Sequence, residues 1–202
     1  MWPGEKLQRE NWIDGLNDNA GDMKKQAEET KQWVETVVLG LNLCPFARLP
    51  FYAGRVRFVV YEGTDIVKLA KLMVEEARLL VITPAEEVET TLLIHPNALP
   101  DFQDYLDYLE EAGRLIQDNG LEGIIQVASF HPDYQFEGTE PGAPENYTNR
   151  SPYPMLHLLR EESIERALWS FEHPEQIPER NIQKMRELGI EGIGKLLGEE
   201  KE

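Results

Sequence analysis

The chain has 202 residues, with 20 Lys+Arg against 37 Asp+Glu and a formal net charge of -17 at pH 7. One domain is expected at this length, and the negative charge argues against binding to nucleic acid or to an anionic membrane surface. The single cysteine excludes an internal disulfide and favours a cytoplasmic location, and the sequence predicts neither a transmembrane helix nor a secretory signal.

Composition divides the chain into three segments. Residues 1–22 lack sustained hydrophobic periodicity and are rich in Asn, Asp, Gly and Glu, which predicts a flexible acidic N-terminal extension. Residues 199–202 predict a frayed, charged tail. The sustained helical and strand patterns lie between these ends, so residues 23–198 are expected to form a single α/β domain.

The first half of the domain predicts helices alternating with strands. A helix that begins near Met23 is limited by Pro45, because proline removes a backbone donor and restricts the residue before it. Residues 55–61 (RVRFVVY) are dense in β-branched and aromatic side chains and predict a strand. Thr64 is the candidate N-cap of the next helix, and residues 90–95 (TTLLIH) predict a second strand.

The second half predicts one more strand and three helices. Asp101 is the candidate N-cap of the first of these helices. Residues 123–130 (GIIQVASF) predict the third strand, and residues 133–153 predict a long loop. A helix is expected after the loop, because apolar residues recur there at helical spacing: Leu156, Leu159, Ile164, Ala167, Leu168 and Phe171. The last helix is expected to start near Pro178.

This order of elements predicts an α/β fold. Three strands separated by long helices favour a β-α-β-α-β core with a small, mostly parallel sheet of three to four strands, flanked by helices. If the sheet has a fourth strand, it is expected in residues 46–53 or in the long loop. The alternative is a ferredoxin-like α+β arrangement with antiparallel neighbours.

Two of the predicted strands end in the same dipeptide, His95-Pro96 and His131-Pro132. If these strands run parallel in one sheet, both imidazoles emerge at its carboxyl edge, where open α/β sheets bind ligands. Imidazoles there can transfer protons or bind a metal, and Asp133 can orient His131 or act with it. The alternative is structural: each histidine bonds a nearby carbonyl, and Asp133 makes a turn.

Polar residues at and after the long loop are candidates for substrate binding: Asn146, Asn149, Arg150, Ser151, His157 and Arg160. The predicted helix begins beside Arg150, and the free N–H groups of a helix N-terminus attract anions. The planar guanidinium of Arg150 can clamp a phosphate or carboxylate. His157 and Arg160 are predicted to share one face of that helix. Ordinary turn and capping roles are the alternative.

Cys44 is the only thiol in the chain. It is a candidate nucleophile paired with a histidine, or a third metal ligand with His95 and His131. A buried, inert thiol is the alternative. The first helix should run antiparallel to the strands, which would place Cys44 at the edge of the sheet opposite the two histidines.

Six strings of residues 40–182 form a pattern: GLNLCPFA, TTLLIHP, QVASFHPDYQF, ENYTNRSPYP, LHLLRE and IPERNI. Together they resemble the motifs of an uncharacterised, mainly bacterial family, the domain-of-unknown-function family fourteen-fifteen, over about residues 23–197. The family carries no activity to transfer. The resemblance implies that the polar residues inside these strings form a site, and it adds Arg180 to the candidates named above.

The sequence therefore predicts an enzyme that acts on a small anionic substrate by histidine-centred hydrolysis or group transfer. The candidate catalytic residues are His95, His131, Asp133 and Cys44. The cofactor is left open, between a divalent metal and a metal-free Cys44–His couple. The alternative is a non-catalytic module that binds a ligand or partner through the Asn-rich loop and the helix of Tyr105 and Tyr108. No oligomeric state is predicted.

Overall fold

The computed structural model describes residues 20–169 and 171–198. The α-helices are α1 (Ala20–Trp33), α2 (Arg48–Tyr52), α3 (Ile66–Ile82), α4 (Phe102–Asp118), α5 (Glu161–Trp169) and α6 (Ile177–Leu197). A π-helical segment, Val34–Leu39, continues α1, and short 3-10 helices span Pro144–Thr148 and Pro174–Gln176. The strands are β1 (Val56–Val60), β2 (Thr90–Ile94), β3 (Ile125–Phe130) and β4 (Met155–Arg160).

The ends of the chain test the predicted segments only in part. Residues 1–19 of the predicted extension and residues 199–202 of the predicted tail lie outside the described residues. Residues 20–22 were predicted to belong to the extension, but they form the first turn of α1. In the described ranges, none of the helices combines the length and apolar character needed to span a bilayer.

The sheet has four strands in the order β1-β2-β4-β3. β1 and β2 pair in parallel, while β4 lies between β2 and β3 and pairs antiparallel with both. The predicted α/β class is confirmed, but a mostly parallel sheet is wrong, since the sheet is mixed. β2 and β3 nevertheless run in the same direction, because each is antiparallel to β4.

The fourth strand lies where a helix was predicted. Met155–Arg160 is β4, and α5 begins at the next residue, Glu161. The helix that was predicted to include residues 155–160 is therefore wrong. The fourth strand was expected in residues 46–53 or in the long loop, and this prediction is also wrong. A short buried apolar run does not distinguish strand from helix by its spacing. Because no turn separates β4 from α5, the apolar residues of the two elements merge into one apparent helical pattern.

Helices cover both faces of the sheet, which distinguishes this fold from the ferredoxin-like alternative. α3 and α4 pack on one face, where they bury apolar side chains of the strands that include Leu93, Leu156 and Leu158. The π-helical continuation of α1 and the later helix α6 pack on the other face, over residues that include Ile94 and Met155. The strand residues alternate between the two cores, as the pleat of a sheet requires.

Two N-caps define the helices that flank β2. Asp101 Oδ1 accepts hydrogen bonds from Gln103 N at 2.8 Å and Asp104 N at 3.1 Å, so it caps α4 as predicted. The cap of α3 is Asp65 and not the predicted Thr64. The cap at Asp101 fixes the end of the turn that joins β2 to α4. Backbone carbonyls of this turn contact the two candidate histidines.

Candidate functional site

The two His-Pro dipeptides leave the sheet at the same edge. Ile94 at the end of β2 and Phe130 at the end of β3 both pair with Met155 of β4. His95 and His131 therefore lie at the carboxyl edge of the strands, with the start of β4 between them. Both residues are completely buried, at 0% exposure.

His95 has one paired and one unpaired ring nitrogen. Its Nδ1 lies 2.9 Å from the carbonyl oxygen of Ala98, so Nδ1 must carry the proton and donate it. Nε2 then has a lone pair, and this buried nitrogen has no hydrogen-bond partner among the described residues. Burial lowers the pKa of His95 to about 4, and the nearby His131 acts in the same direction, so the ring is neutral at pH 7.

His131 uses both ring nitrogens within the protein. Its Nδ1 accepts a hydrogen bond from the backbone N–H of Asp133 at 3.0 Å, and its Nε2 lies 3.2 Å from the carbonyl oxygen of Leu99. These partners fix a neutral ring with the proton on Nε2. Burial lowers the pKa of His131, while the Leu99 carbonyl and the carboxylates of Asp133 and Asp101 oppose this shift. Asp133 itself is exposed and turns the chain.

Tyr105 of α4 lies against both imidazoles. Its ring centroid is 6.0 Å from that of His95 and 5.1 Å from that of His131. Its hydroxyl donates to Met155 O at 2.9 Å and accepts from Phe130 N at 3.0 Å, so it bridges β3 and β4 where the two strands separate. Neither Tyr105 nor Tyr108 forms the exposed surface predicted for the binding alternative, because both are buried in the core.

The amide of Asn146 and the guanidinium of Arg150 hold the long loop together. Asn146 is fully buried, accepts from Phe136 N at 3.1 Å and donates to Glu140 O at 2.9 Å. Arg150 donates from Nε to Tyr134 O at 3.0 Å and from Nη2 to Pro141 O at 2.6 Å. Its guanidinium also lies 4.6 Å from the ring centroid of Tyr147. A cation–π contact of this kind fixes the plane of the guanidinium.

Asn149 and Ser151 attach the end of the loop to the end of β3. Asn149 Nδ2 donates to Ser129 O at 3.1 Å, and its backbone carbonyl accepts from His131 N at 3.2 Å. Ser151 N donates to His131 O at 3.4 Å, and Ser151 Oγ donates to Tyr153 O at 2.6 Å. The anion-binding helix N-terminus predicted beside Arg150 is wrong, because the chain continues from this loop into β4 and not into a helix.

His157 and Arg160 lie on β4, so the shared helical face predicted for them is wrong. Side chains alternate along a strand, which directs these two to opposite faces of the sheet. His157 Nε2 donates to Thr90 Oγ1 at 2.8 Å, since that hydroxyl gives its own proton to Leu158 O. Arg160 Nη2 donates to Thr83 O at 2.6 Å and to Val88 O at 2.8 Å, which ties the end of α3 to the sheet.

Cys44 is not brought together with either candidate histidine. It lies in the loop that leads from the π-helical segment to the amino end of β1, whereas the two histidines follow the carboxyl ends of their strands. Burial raises the pKa of the Cys44 thiol, although the N–H groups of Phe46 and Ala47 and the charge of Arg180 oppose the shift. Arg180 donates to Asn42 O at 2.7 Å and so holds this loop against α6.

The candidate residues do not form a preassembled metal centre. Within residues 20–169 and 171–198, no three His, Cys, Asp or Glu side chains are grouped so that they could hold a metal ion. Two surface hollows, of about 430 Å³ and 290 Å³, are lined by neither His95 nor His131. The carboxyl edge has two buried imidazoles, and the loop between β3 and β4 is closed by its own hydrogen bonds.

Two polar contacts near the candidates were missed from the sequence. The Tyr105 hydroxyl was interpreted as part of an apolar stripe, since its spacing matches core residues. Thr90, which accepts from His157, was interpreted only as the start of a strand. No sequence pattern gives such pairings, because each joins residues that are far apart in the chain.

Comparisons with known proteins give a family and no activity. A family model described as "Protein of unknown function (DUF1415)" matches residues 25–195. Neither the curated proteins nor the solved structures gave a match. The resemblance predicted from the sequence motifs is thus confirmed.

Proposed function

We propose, for a chain that belongs to the DUF1415 family of proteins of unknown function, that it is an enzyme acting on a small anionic substrate at the carboxyl edge of its sheet. His95 is the group that takes or gives the proton. The observation that carries this proposal is the nitrogen Nε2 of His95, which is buried and has no partner among the described residues. Eight buried side-chain atoms of the described residues lack a partner, and Nε2 of His95 is the one imidazole nitrogen among them. A buried polar atom without a partner calls for an explanation, and a catalytic role is one.

The chemistry of His95 follows from its two nitrogens. The bond from Nδ1 to Ala98 O orients the ring and leaves the Nε2 lone pair free to accept a proton or a ligand. A pKa of about 4 makes this imidazole a weak base but keeps it uncharged at pH 7. A neutral imidazole oriented through a carbonyl is also the usual form of a metal-ligating histidine. Hydrolysis or group transfer is the reaction class that both uses support.

His131 and Arg150 have supporting roles in this proposal. His131 is a positioning residue, because both of its nitrogens are occupied, by Asp133 N and Leu99 O, while its ring lies against Tyr105. Arg150 has Nη1 left over after Nε and Nη2 bond the loop, and this N–H group is available to an anionic substrate. The single cysteine supports a reducing, cytoplasmic setting, and the net charge of -17 argues against a nucleic acid partner.

A non-catalytic ligand-binding module is the second candidate function. It is favoured by the burial of both imidazoles at 0% exposure and by the internal hydrogen bonds of Asn146, Asn149 and Ser151. Under this alternative, the same loop opens for a ligand and His95 Nε2 bonds it without any reaction. Both functions require His95, and they differ in whether the bound compound is converted.

The test uses matched histidine variants of the full chain. Thermal unfolding is followed with a panel of millimolar phosphate, phosphate monoesters and short carboxylates, each with and without magnesium or zinc. A panel member that binds is expected to raise Tm by about 3 °C or more in the wild type. It should act equally on His173→Gln, whose side chain is exposed, and lose its effect on His95→Gln.

Turnover of the same compounds then decides between the two functions. The enzyme is supported if a stabilising compound is converted by the wild type and by His173→Gln, and not by His95→Gln. Binding that depends on His95 without conversion supports the ligand-binding module. Both proposals are contradicted if no compound acts, or if His95→Gln responds as the wild type does.

A further inference from the structure

The outer edge of β3 has unpaired backbone groups. β3 lies at the end of the sheet and pairs only with β4. Glu161 N donates to Ile124 O at 3.0 Å, which shows that the even-numbered residues of this segment bond towards β4. The odd-numbered residues Ile125, Val127 and Ser129 therefore direct their N–H and C=O groups towards the open edge.

The protein covers both ends of this edge but not its middle. At one end, Asn149 Nδ2 donates a hydrogen bond to the carbonyl oxygen of Ser129 at 3.1 Å. At the other end, Ile125 N donates to Leu121 O at 3.0 Å. Between them, both backbone groups of Val127 lack a partner among the described residues. An exposed strand edge of this kind is a template for another strand.

A groove between β3 and α4 runs along this edge. Its volume is about 290 Å³. One wall is formed by Leu109, Gly113 and Ile116, which follow one another along α4, and the other includes the side chain of Val127. A Cβ placed on Gly113 would have no atom within 4 Å, so the missing side chain leaves open space. A strand added to β3 would direct alternate side chains into such a groove.

The charge of the groove selects its occupant. Glu122 and Glu161 line it, and neither forms a salt bridge within the described residues. The chain as a whole carries a net charge of -17, so a second copy would bring like charges to the groove. Both carboxylates lie beside the start of β3, since Glu161 N bonds Ile124 O and Glu122 precedes Ile124 by two residues. A segment with lysine or arginine at the end that lies there would pair with them.

We propose that the groove between α4 and the open edge of β3 binds an extended, basic peptide segment of a partner protein as an added β-strand. Main-chain hydrogen bonds to Val127 provide affinity, the space at Gly113 takes one apolar side chain, and Glu122 and Glu161 select basic residues. This interaction is independent of the chemistry proposed for His95, which lies at the end of the sheet and on another strand.

The binding test uses a capped octapeptide that alternates lysine and valine, titrated into the full chain by calorimetry. Gly113→Leu fills the groove, and because leucine is a better helix former than glycine, this variant should remain folded. It is expected to weaken binding by about tenfold or more. Gly142→Leu is the matched control, since Gly142 lies in the exposed loop with open space around it, and it should bind as the wild type does.

Two further measurements test the added strand directly. An octapeptide with methylated backbone amides keeps its charge and side chains but loses its donors, so it should bind at least about tenfold more weakly. Saturation with the unmethylated peptide should slow hydrogen exchange of Val127 N–H by about tenfold or more. The N–H of Ala128, which already points towards β4, should not change.

Four outcomes would overturn this proposal. The first is no binding at millimolar peptide, and the second is binding that neither Gly113→Leu nor amide methylation weakens, which would indicate attraction to any acidic surface. The third is a concentration-dependent dimer that Gly113→Leu abolishes, which would make a second copy the occupant. The fourth is about tenfold tighter peptide binding after removal of residues 1–19, which would assign the groove to the chain's own N-terminal segment.

Discussion

The chain exits after β2 and after β3 share a His-Pro dipeptide, an edge of the sheet and complete burial, but their hydrogen bonding differs. His131 has a partner on each ring nitrogen, namely Asp133 N and Leu99 O. His95 has only Ala98 O, and its second nitrogen is unpaired. The same dipeptide therefore has a structural role after β3, where both ring nitrogens of His131 are paired. After β2 it leaves one ring nitrogen of His95 available to a ligand or a proton.

The first way to test this comparison is to truncate each ring. His131→Ala should lower the free energy of unfolding by about 3–4 kcal/mol, because it removes a buried ring and leaves the N–H of Asp133 and the carbonyl of Leu99 without their partner. His95→Ala should cost about 1 kcal/mol less, since only one hydrogen bond is lost. Urea unfolding of both variants measures the difference. Equal losses, or a larger loss at His95, would remove the distinction between the two exits.

The second test is the pH dependence of stability. Burial lowers the pKa of folded His95 from 6.5 to about 4, so between these values the unfolded chain binds the proton and the folded chain does not. The stabilisation is complete above pH 6.5 and is lost as the pH falls towards 4, by on the order of 3 kcal/mol in total.

A matched variant separates this effect from the carboxylates that titrate in the same range. Unfolding free energies of the wild type and His95→Gln are measured from pH 7 to pH 4. The wild type should lose more stability than the variant, with a difference that grows by up to about 1.4 kcal/mol per pH unit. Parallel curves would mean that His95 is not held neutral in the folded protein.

The third test removes the hydroxyl that lies between the two exits. Tyr105→Phe keeps the buried ring but leaves Phe130 N and Met155 O without their shared partner, which should cost about 2 kcal/mol. Hydrogen exchange should accelerate at His131 N, next to the separated strands, more than at His95 N. A loss of less than about 0.5 kcal/mol in the free energy of unfolding would show that β3 and β4 stay together without the hydroxyl of Tyr105.

The smallest effect is expected from an exposed carboxylate at one exit. Asp133→Asn removes a negative charge that favours the protonated form of His131, so the pKa of His131 should fall further. Stability should change by less than about 0.5 kcal/mol, since the side chain is exposed. An NMR titration of both rings measures the effect. A change at His95 as large as that at His131 would show that the two exits are not separate environments.

Much of the fold could be predicted because its signals are local. The cap at Asp101, the apolar stripe of α4 and the β-branched runs of β1 and β2 each occupy one short segment of the sequence. β4 could not be predicted in this way, because MLHLLR is apolar on both sides and continues directly into α5. Its character as a strand comes from β2 and β3, which pair with its two edges.

The candidate site could be predicted in position but not in chemistry. The order of strands and prolines indicates one edge for His95 and His131, and both lie there. Their protonation depends on the carbonyls of Ala98 and Leu99, which the turn after β2 brings to the rings. The polar loop residues were interpreted as substrate ligands because composition does not show where an amide bonds. Asn146 and Arg150 instead bond the backbone of their own loop.

The most direct measurement is the tautomeric state of the two rings, from nitrogen-15 NMR of the labelled full chain at pH 7. We expect two neutral rings of opposite tautomer, with the proton on Nδ1 in His95 and on Nε2 in His131. His95 should stay neutral down to about pH 4. A His95 ring that is charged at pH 7, or that has its proton on Nε2, would contradict the free lone pair on which the proposed function rests.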